Sequence, residues 1–99
     1  MIKHIVMWRL RPGDPKQQEQ DLMQVKSAFE GIREKIPGLL RLEIGFDISK
    51  VDYACAVVLY SEFATQEDLN TYATHPEHTR VRQELEGIRV ERYQVDYIV

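Results

Sequence analysis

From Tyr53 to Phe63 the chain is apolar almost throughout, and no polar residue alternates across Ala54-Cys55-Ala56-Val57-Val58-Leu59-Tyr60. A strand of that composition is covered on both faces, so the fold must place a layer of protein on each side of it. The flanking segments show what supplies one layer. Ile2 to Leu10 alternates, with Ile2, His4, Val6, Trp8 and Leu10 on one face and Lys3, Ile5, Met7 and Arg9 on the other, which predicts a strand. Arg11-Pro12-Gly13-Asp14-Pro15 breaks it. Lys16 to Lys35 is then polar around a stripe at Leu22, Val25, Phe29 and Ile32 that continues to Ile36, the spacing of a helix lying on a sheet. Asp14 suits its cap and Pro15 its first position. Gly31 weakens the interior by roughly 1 kcal/mol, and Ile36-Pro37-Gly38 stops it.

Leu39 to Phe46 alternates again, with Leu40, Leu42, Ile44 and Phe46 against Arg41, Glu43 and Gly45. After the apolar strand, Thr65 caps a second helix whose first turn carries Glu67 and Asp68. Its inner face is Leu69, Tyr72 and Ala73. Pro76 ends or kinks it and begins a further turn bearing His78, Val81 and Leu85. Ile88 to Val99 is the last strand, with Tyr93, Val95, Tyr97 and Val99 on one side and Arg92, Gln94 and Asp96 on the other.

The order strand, helix, strand, strand, helix, strand defines a single ferredoxin-like α+β domain over residues 1–99, β-α-β-β-α-β, with both helices on one face of an antiparallel sheet. Two helices cover one face only. Ile5, Met7, Tyr93, Val95 and Tyr97 extend the apolar area on the other, and a second copy packed sheet to sheet is the cheapest cover. The expectation is a homodimer. A net charge of −3 with both signs mixed leaves no basic stripe to follow a phosphate backbone, which argues against a nucleic-acid partner. No apolar stretch reaches membrane-spanning length and the N-terminus lacks a signal-type core. Cys55 stands alone, a buried structural thiol with no internal disulfide partner, which fits a reducing, cytoplasmic setting.

The residues able to carry chemistry gather in Tyr72-Ala73-Thr74-His75-Pro76-Glu77-His78. Tyr72 and His75 are spaced to share a helix face, while Pro76 leaves the direction of His78 open. A histidine takes or gives a proton near neutral pH, and a phenol donates a hydrogen bond to a developing oxyanion, so the set suits proton abstraction beside a carbonyl. The plainer alternative makes Tyr72 core and the histidines caps around Pro76. His4 shares the apolar face of Val6 and Trp8 and is expected beneath the helices; Trp8 and Phe29 could wall an apolar pocket or be plain core. His75, His78, Glu77 and His4 lack cysteine partners and the His-Glu-x-x-His order, so no metal is expected. The absence of a Gly-rich phosphate loop and a dinucleotide fingerprint leaves no cofactor expected either.

Lys3-His4-Ile5-Val6, Ile36-Pro37-Gly38, Ser61-Glu62-Phe63, Tyr72-x-x-His75-Pro76-Glu77-His78 and Asp96-Tyr97, in this order and over nearly the whole chain, resemble the stress-responsive A/B barrel domain family. The resemblance implies a dimeric α/β barrel of ferredoxin-like chains. Many members have no assigned reaction, some plant members are stress-associated oligomers, and one plant member is a polyketide cyclase acting by aldol condensation. Its catalytic tyrosine and histidine match Tyr72 and His78, and its pocket residues match His4 and His75. That implies His78 as general base and Tyr72 as holder of the carbonyl oxygen, with no cofactor or metal. Val57 stands where that cyclase has a further histidine, and Arg92 and Gln94 make the last strand more polar than its apolar pocket wall. The implied protein binds a small, partly apolar molecule between sheet and helices. A stress-associated structural or interaction dimer is the alternative, and a cofactorless monooxygenase on the same scaffold a weaker third.

Overall fold

The computed structural model describes residues 1–99 as β1 (Ile2–Leu10), α1 (Pro15–Glu30), β2 (Leu39–Phe46), β3 (Val57–Phe63), α2 (Gln66–Thr74), α3 (Pro76–Glu84) and β4 (Arg89–Ile98). The strands form one antiparallel sheet in the order β2-β3-β1-β4. This is the ferredoxin-like arrangement, with the second helical segment divided into α2 and α3.

Local chemistry sets the helix starts. The Asp14 carboxylate accepts from the Gln17 amide at 2.8 Å, and the Thr65 hydroxyl oxygen accepts from the Asp68 amide at 3.1 Å. Each satisfies one of the donors that a first turn leaves without an intrahelical partner.

Between helices and sheet lies one apolar core. Trp8 of β1 stacks on Phe29 of α1 with ring centroids 5.3 Å apart, and Val6, Val25, Ile32, Leu59, Phe63 and Leu85 are fully buried around them. Each such side chain contributes roughly 1.5–3 kcal/mol by leaving water. His4 is buried on the same face, as its place in the alternation predicts.

Three sequence expectations are corrected. The first helix ends at Glu30, not Lys35: beyond Gly31 the chain tightens into three-residue turns, with the Lys35 amide donating to the Ile32 carbonyl at 3.0 Å. Those turns keep Ile32 and Ile36 pointing inward, so the apolar stripe outruns the helix that it resembles. In β2, pairing slips between Leu39 and Arg41. The extra residue of this bulge, Leu40, turns out of the core and is 60% exposed. The third strand begins at Val57, because residues 47–56 form a loop drawn together by Asp47, whose side chain accepts from the amides of Ser49 and Lys50. Within β3 burial alternates after all: Val57, Leu59, Ser61 and Phe63 are buried, whereas Val58, Tyr60 and Glu62 are half-covered.

That half-covered face continues across the sheet. Met7, Tyr93, Val95 and Tyr97 are exposed on it, and a concavity of about 640 Å³ opens beside Met7, Phe46, Tyr53, Val58 and Tyr93. No element of the chain covers this layer.

Candidate functional site

The site begins at a break in the backbone ladder. A continuous helix would bond the Glu77 amide to the Ala73 carbonyl. Pro76 has no N–H and pushes the residue before it out of helical geometry. His75 accordingly sits at φ −67°, ψ 141°, at once the end of α2 and the cap of α3. Its Nδ1 accepts from the Glu77 amide at 3.1 Å, which frees the Ala73 carbonyl; the His78 Nδ1–H donates to that carbonyl at 3.1 Å. A carbonyl only accepts, so this bond puts the His78 hydrogen on Nδ1 and leaves the Nε2 lone pair available as a base.

The break also decides which histidine meets Tyr72. The expected Tyr72–His75 face does not form, because His75 is spent as a cap. Instead Tyr72 and His78 stack, centroids 4.5 Å apart and planes 25° from parallel. Tyr72 packs in turn against Phe63 at 5.2 Å and meets His4 edge-on at 6.1 Å. His4 Nδ1 donates to Asp96 Oδ1 at 2.5 Å, and from Asp96 a run of hydrogen bonds follows the helix-facing side of β4: Gln94 Nε2 to Asp96 Oδ2 at 3.0 Å, and Arg92 Nη2 to Gln94 Oε1. The structure thus brings together Tyr72, His78 and His4. His75 lies at the helix junction, half-buried, and Phe29 is buried in the Trp8 stack, away from the three. His, Cys, Asp and Glu side chains nowhere converge in a group of three that could hold a metal ion.

Tyr72 is 3% exposed, and its hydroxyl is the one buried side-chain polar atom without a hydrogen-bond partner. An orphaned buried donor costs about 1–3 kcal/mol. Burial pushes its pKa up to about 12 even though Arg92, Arg89 and Arg82 pull the other way, so the phenol keeps its proton. Burial likewise holds the His78 imidazole below its usual range; the Ala73 carbonyl opposes this and the same three arginines reinforce it. A protonated phenol beside a neutral imidazole is the arrangement that oxyanion stabilisation and proton abstraction require.

Sequence pattern does not single out Arg82 or Arg89, and it gives Arg92 as a polar position on the last strand, where the resemblance implies an apolar pocket wall. They sit on α3 and on either side of a register irregularity in β4, so no local pattern marks them as a group. Arg92 alone carried a signal, by falling on the strand side that faces the helices.

The fold makes this a ferredoxin-like α+β domain, and in this chain the second helical segment stacks Tyr72 on His78 beside the buried His4. The chain belongs to the stress responsive A/B barrel domain family, whose model matches residues 2–99. Stress-response A/B barrel domain-containing protein DABB1 of Arabidopsis thaliana is 34% identical over 104 residues, covering 99% of this chain and 47% of that protein. The chain thus spans about half the length of that relative. A dimeric ferredoxin-like protein of unknown function from Bacteroides fragilis superposes with a TM-score of 0.85 at 33% identity, over 97% of this chain and 93% of that one. Hydroxynitrile lyase from Passiflora edulis matches at a TM-score of 0.78 over 99% and 92% of the two chains, but at 15% identity it shares the fold alone. A scaffold found both in that enzyme and in a protein of unknown function does not by itself name a reaction.

Proposed function

We propose that this chain is a cytoplasmic homodimer that binds a small, partly apolar carbonyl compound at Tyr72, His78 and His4 and moves a proton on it without a cofactor. The orphaned Tyr72 hydroxyl carries this reading. A buried donor costing about 1–3 kcal/mol is retained where a ligand oxygen completes it. His78 Nε2 takes a proton from the carbon beside the carbonyl, the electron pair moves onto the carbonyl oxygen, and the Tyr72 hydroxyl donates to the oxyanion. His78 then returns the proton. Dimerisation through the uncovered sheet face is supported by the exposed apolar positions Met7, Tyr93, Val95 and Tyr97 and by the dimeric state of the Bacteroides relative.

Phenylpyruvate in deuterium oxide tests the reading, because loss of its benzylic proton signal reports proton abstraction next to a carbonyl. Exchange should exceed the buffer rate and fall at least about tenfold in His78→Gln and in Tyr72→Phe. A rate equal to buffer, or one that neither variant changes, overturns it.

The structural or interaction dimer is the second reading. The observation favouring it is that His75 and His78 are both bonded to the backbone at the α2–α3 corner, which they would hold with or without a ligand.

A further inference from the structure

We propose that Arg82, Arg89 and Arg92 form an anion-binding subsite that takes the carboxylate of a small organic acid beside Trp8. The three arginines line a cavity of about 250 Å³ together with Trp8, Val90 and Glu91. Arg9, Arg11, Arg41 and Arg80 are each paired with a carboxylate of the chain, whereas none of these three has one within ion-pair distance. The carboxylate of Glu91 is already engaged by Arg9 at 3.3 Å and by the Tyr93 hydroxyl at 2.7 Å. Like charges brought together without a counter-charge repel. The cost shows on half-buried Arg89, which burial and then Arg92 and Arg82 hold below the usual arginine range. An arriving anion relieves that repulsion.

Geometry favours a carboxylate on an apolar body. The Arg89 guanidinium lies over the Trp8 ring at 4.9 Å and near Phe29 at 5.9 Å, a stacked position that fixes the plane of its donor fork. Such a fork matches a carboxylate through two parallel hydrogen bonds. Trp8 and Val90 supply an apolar wall. The cavity falls below the roughly 300–1,000 Å³ of pockets for drug-sized ligands, so the ligand is small. The assignment rests on the proposed chemistry only for the carbonyl that the acid would carry.

Trp8 is the single tryptophan, so its fluorescence reports occupancy directly. Benzoate should change the emission saturably and the neutral isostere benzamide should not. Arg89→Gln should weaken benzoate at least about tenfold, and Arg82→Gln and Arg92→Gln severalfold each, as expected when one charge-assisted partner is removed. The last two positions are exposed, so they keep the test decisive should Arg89→Gln fail to fold. Equal responses to benzoate and benzamide, or unchanged benzoate affinity in Arg82→Gln and Arg92→Gln, overturn the subsite. Phenyl phosphate outcompeting benzoate overturns its assignment to carboxylates. Failed proton exchange in a wild type that still binds benzoate defeats only the acid–base reading.

Discussion

Tyr72 and His78 stack face to face at 4.5 Å although they are six positions apart and a helix break lies between them. The contact joins a phenol that keeps its proton to an imidazole that resists taking one. Both properties come chiefly from burial, and both are measurable.

Because the Tyr72 hydroxyl has no partner, it contributes nothing to stability that a phenyl ring would lose. Tyr72→Phe should therefore unfold at the same denaturant midpoint or a higher one, with a gain of up to about 1 kcal/mol. In an ultraviolet titration of the wild type, one of the five tyrosines should ionise near pH 12. Since that pKa is raised above 10, the unfolded chain gives up the proton first, so wild-type stability is unaffected by this group below pH 10 and falls as pH rises from 10 towards 12. A Tyr72→Phe variant that melts well below wild type would show the hydroxyl to be structural.

The linkage for His78 has the opposite direction. Its folded pKa lies below 6.5, so on acidification the unfolded chain takes the proton first. Stability from this group is present above about pH 6.5 and drains as pH falls through that value towards the folded pKa. Urea midpoints of wild type and His78→Gln should converge between neutral pH and pH 5. Parallel midpoints would mean that His78 titrates as an ordinary exposed histidine.

Gly38 and Gly87 separate backbone strain from crowding. Both have positive φ, +79° and +82°, but a Cβ on Gly38 would lie 2.2 Å from Asp68 Cγ while one on Gly87 meets nothing within 4 Å. Gly87→Ala should cost about 1–2 kcal/mol, the left-handed penalty alone. Gly38→Ala should cost more, because Asp68 must also move. Equal chemical denaturation midpoints for the two variants would remove the crowding argument.

A charge at the centre of the uncovered sheet face should be incompatible with sheet-to-sheet packing. Val95 lies on β4 opposite Ile5 and is 51% exposed in the isolated chain. Val95→Asp should give a single-chain mass by light scattering with an unchanged circular dichroism spectrum. A dimer that survives this substitution, or a wild type that is monomeric at micromolar concentration, would rule that interface out.

Most of the fold was legible because alternation and helical spacing are local. Ile2 to Leu10 was read with its observed bounds, and so was Leu39 to Phe46, although composition could not show the bulge that ejects Leu40. Tyr53 to Ala56 belongs to a loop rather than the strand, since apolar identity alone does not distinguish the two. Asp21 was invisible on an otherwise polar helix face. It is 1% exposed, gripped by Arg11 through two hydrogen bonds of 3.0 Å and by Gln17 at 2.8 Å, and its pairing depends on where the loop after β1 returns. At the candidate site, spacing puts His75 on the face of Tyr72 and leaves the direction of His78 open, whereas His78 is the ring that stacks on Tyr72. The direction of His78 depends on backbone bonds rearranged around Pro76, which no side-chain periodicity encodes.

Pro76 carries no reactive group, yet it governs the protonation pattern of the candidate base. By withholding one amide it reassigns the bonding of its neighbours until a spare carbonyl fixes the His78 tautomer. The heritable unit of this chemistry is therefore the seven-residue sentence from Tyr72 to His78, not the pair of rings. Grafted onto an unbroken helix, the same tyrosine and histidine would point apart and compete with the backbone for their hydrogen bonds. A designer copying this corner would have to copy its silence as well as its functional groups.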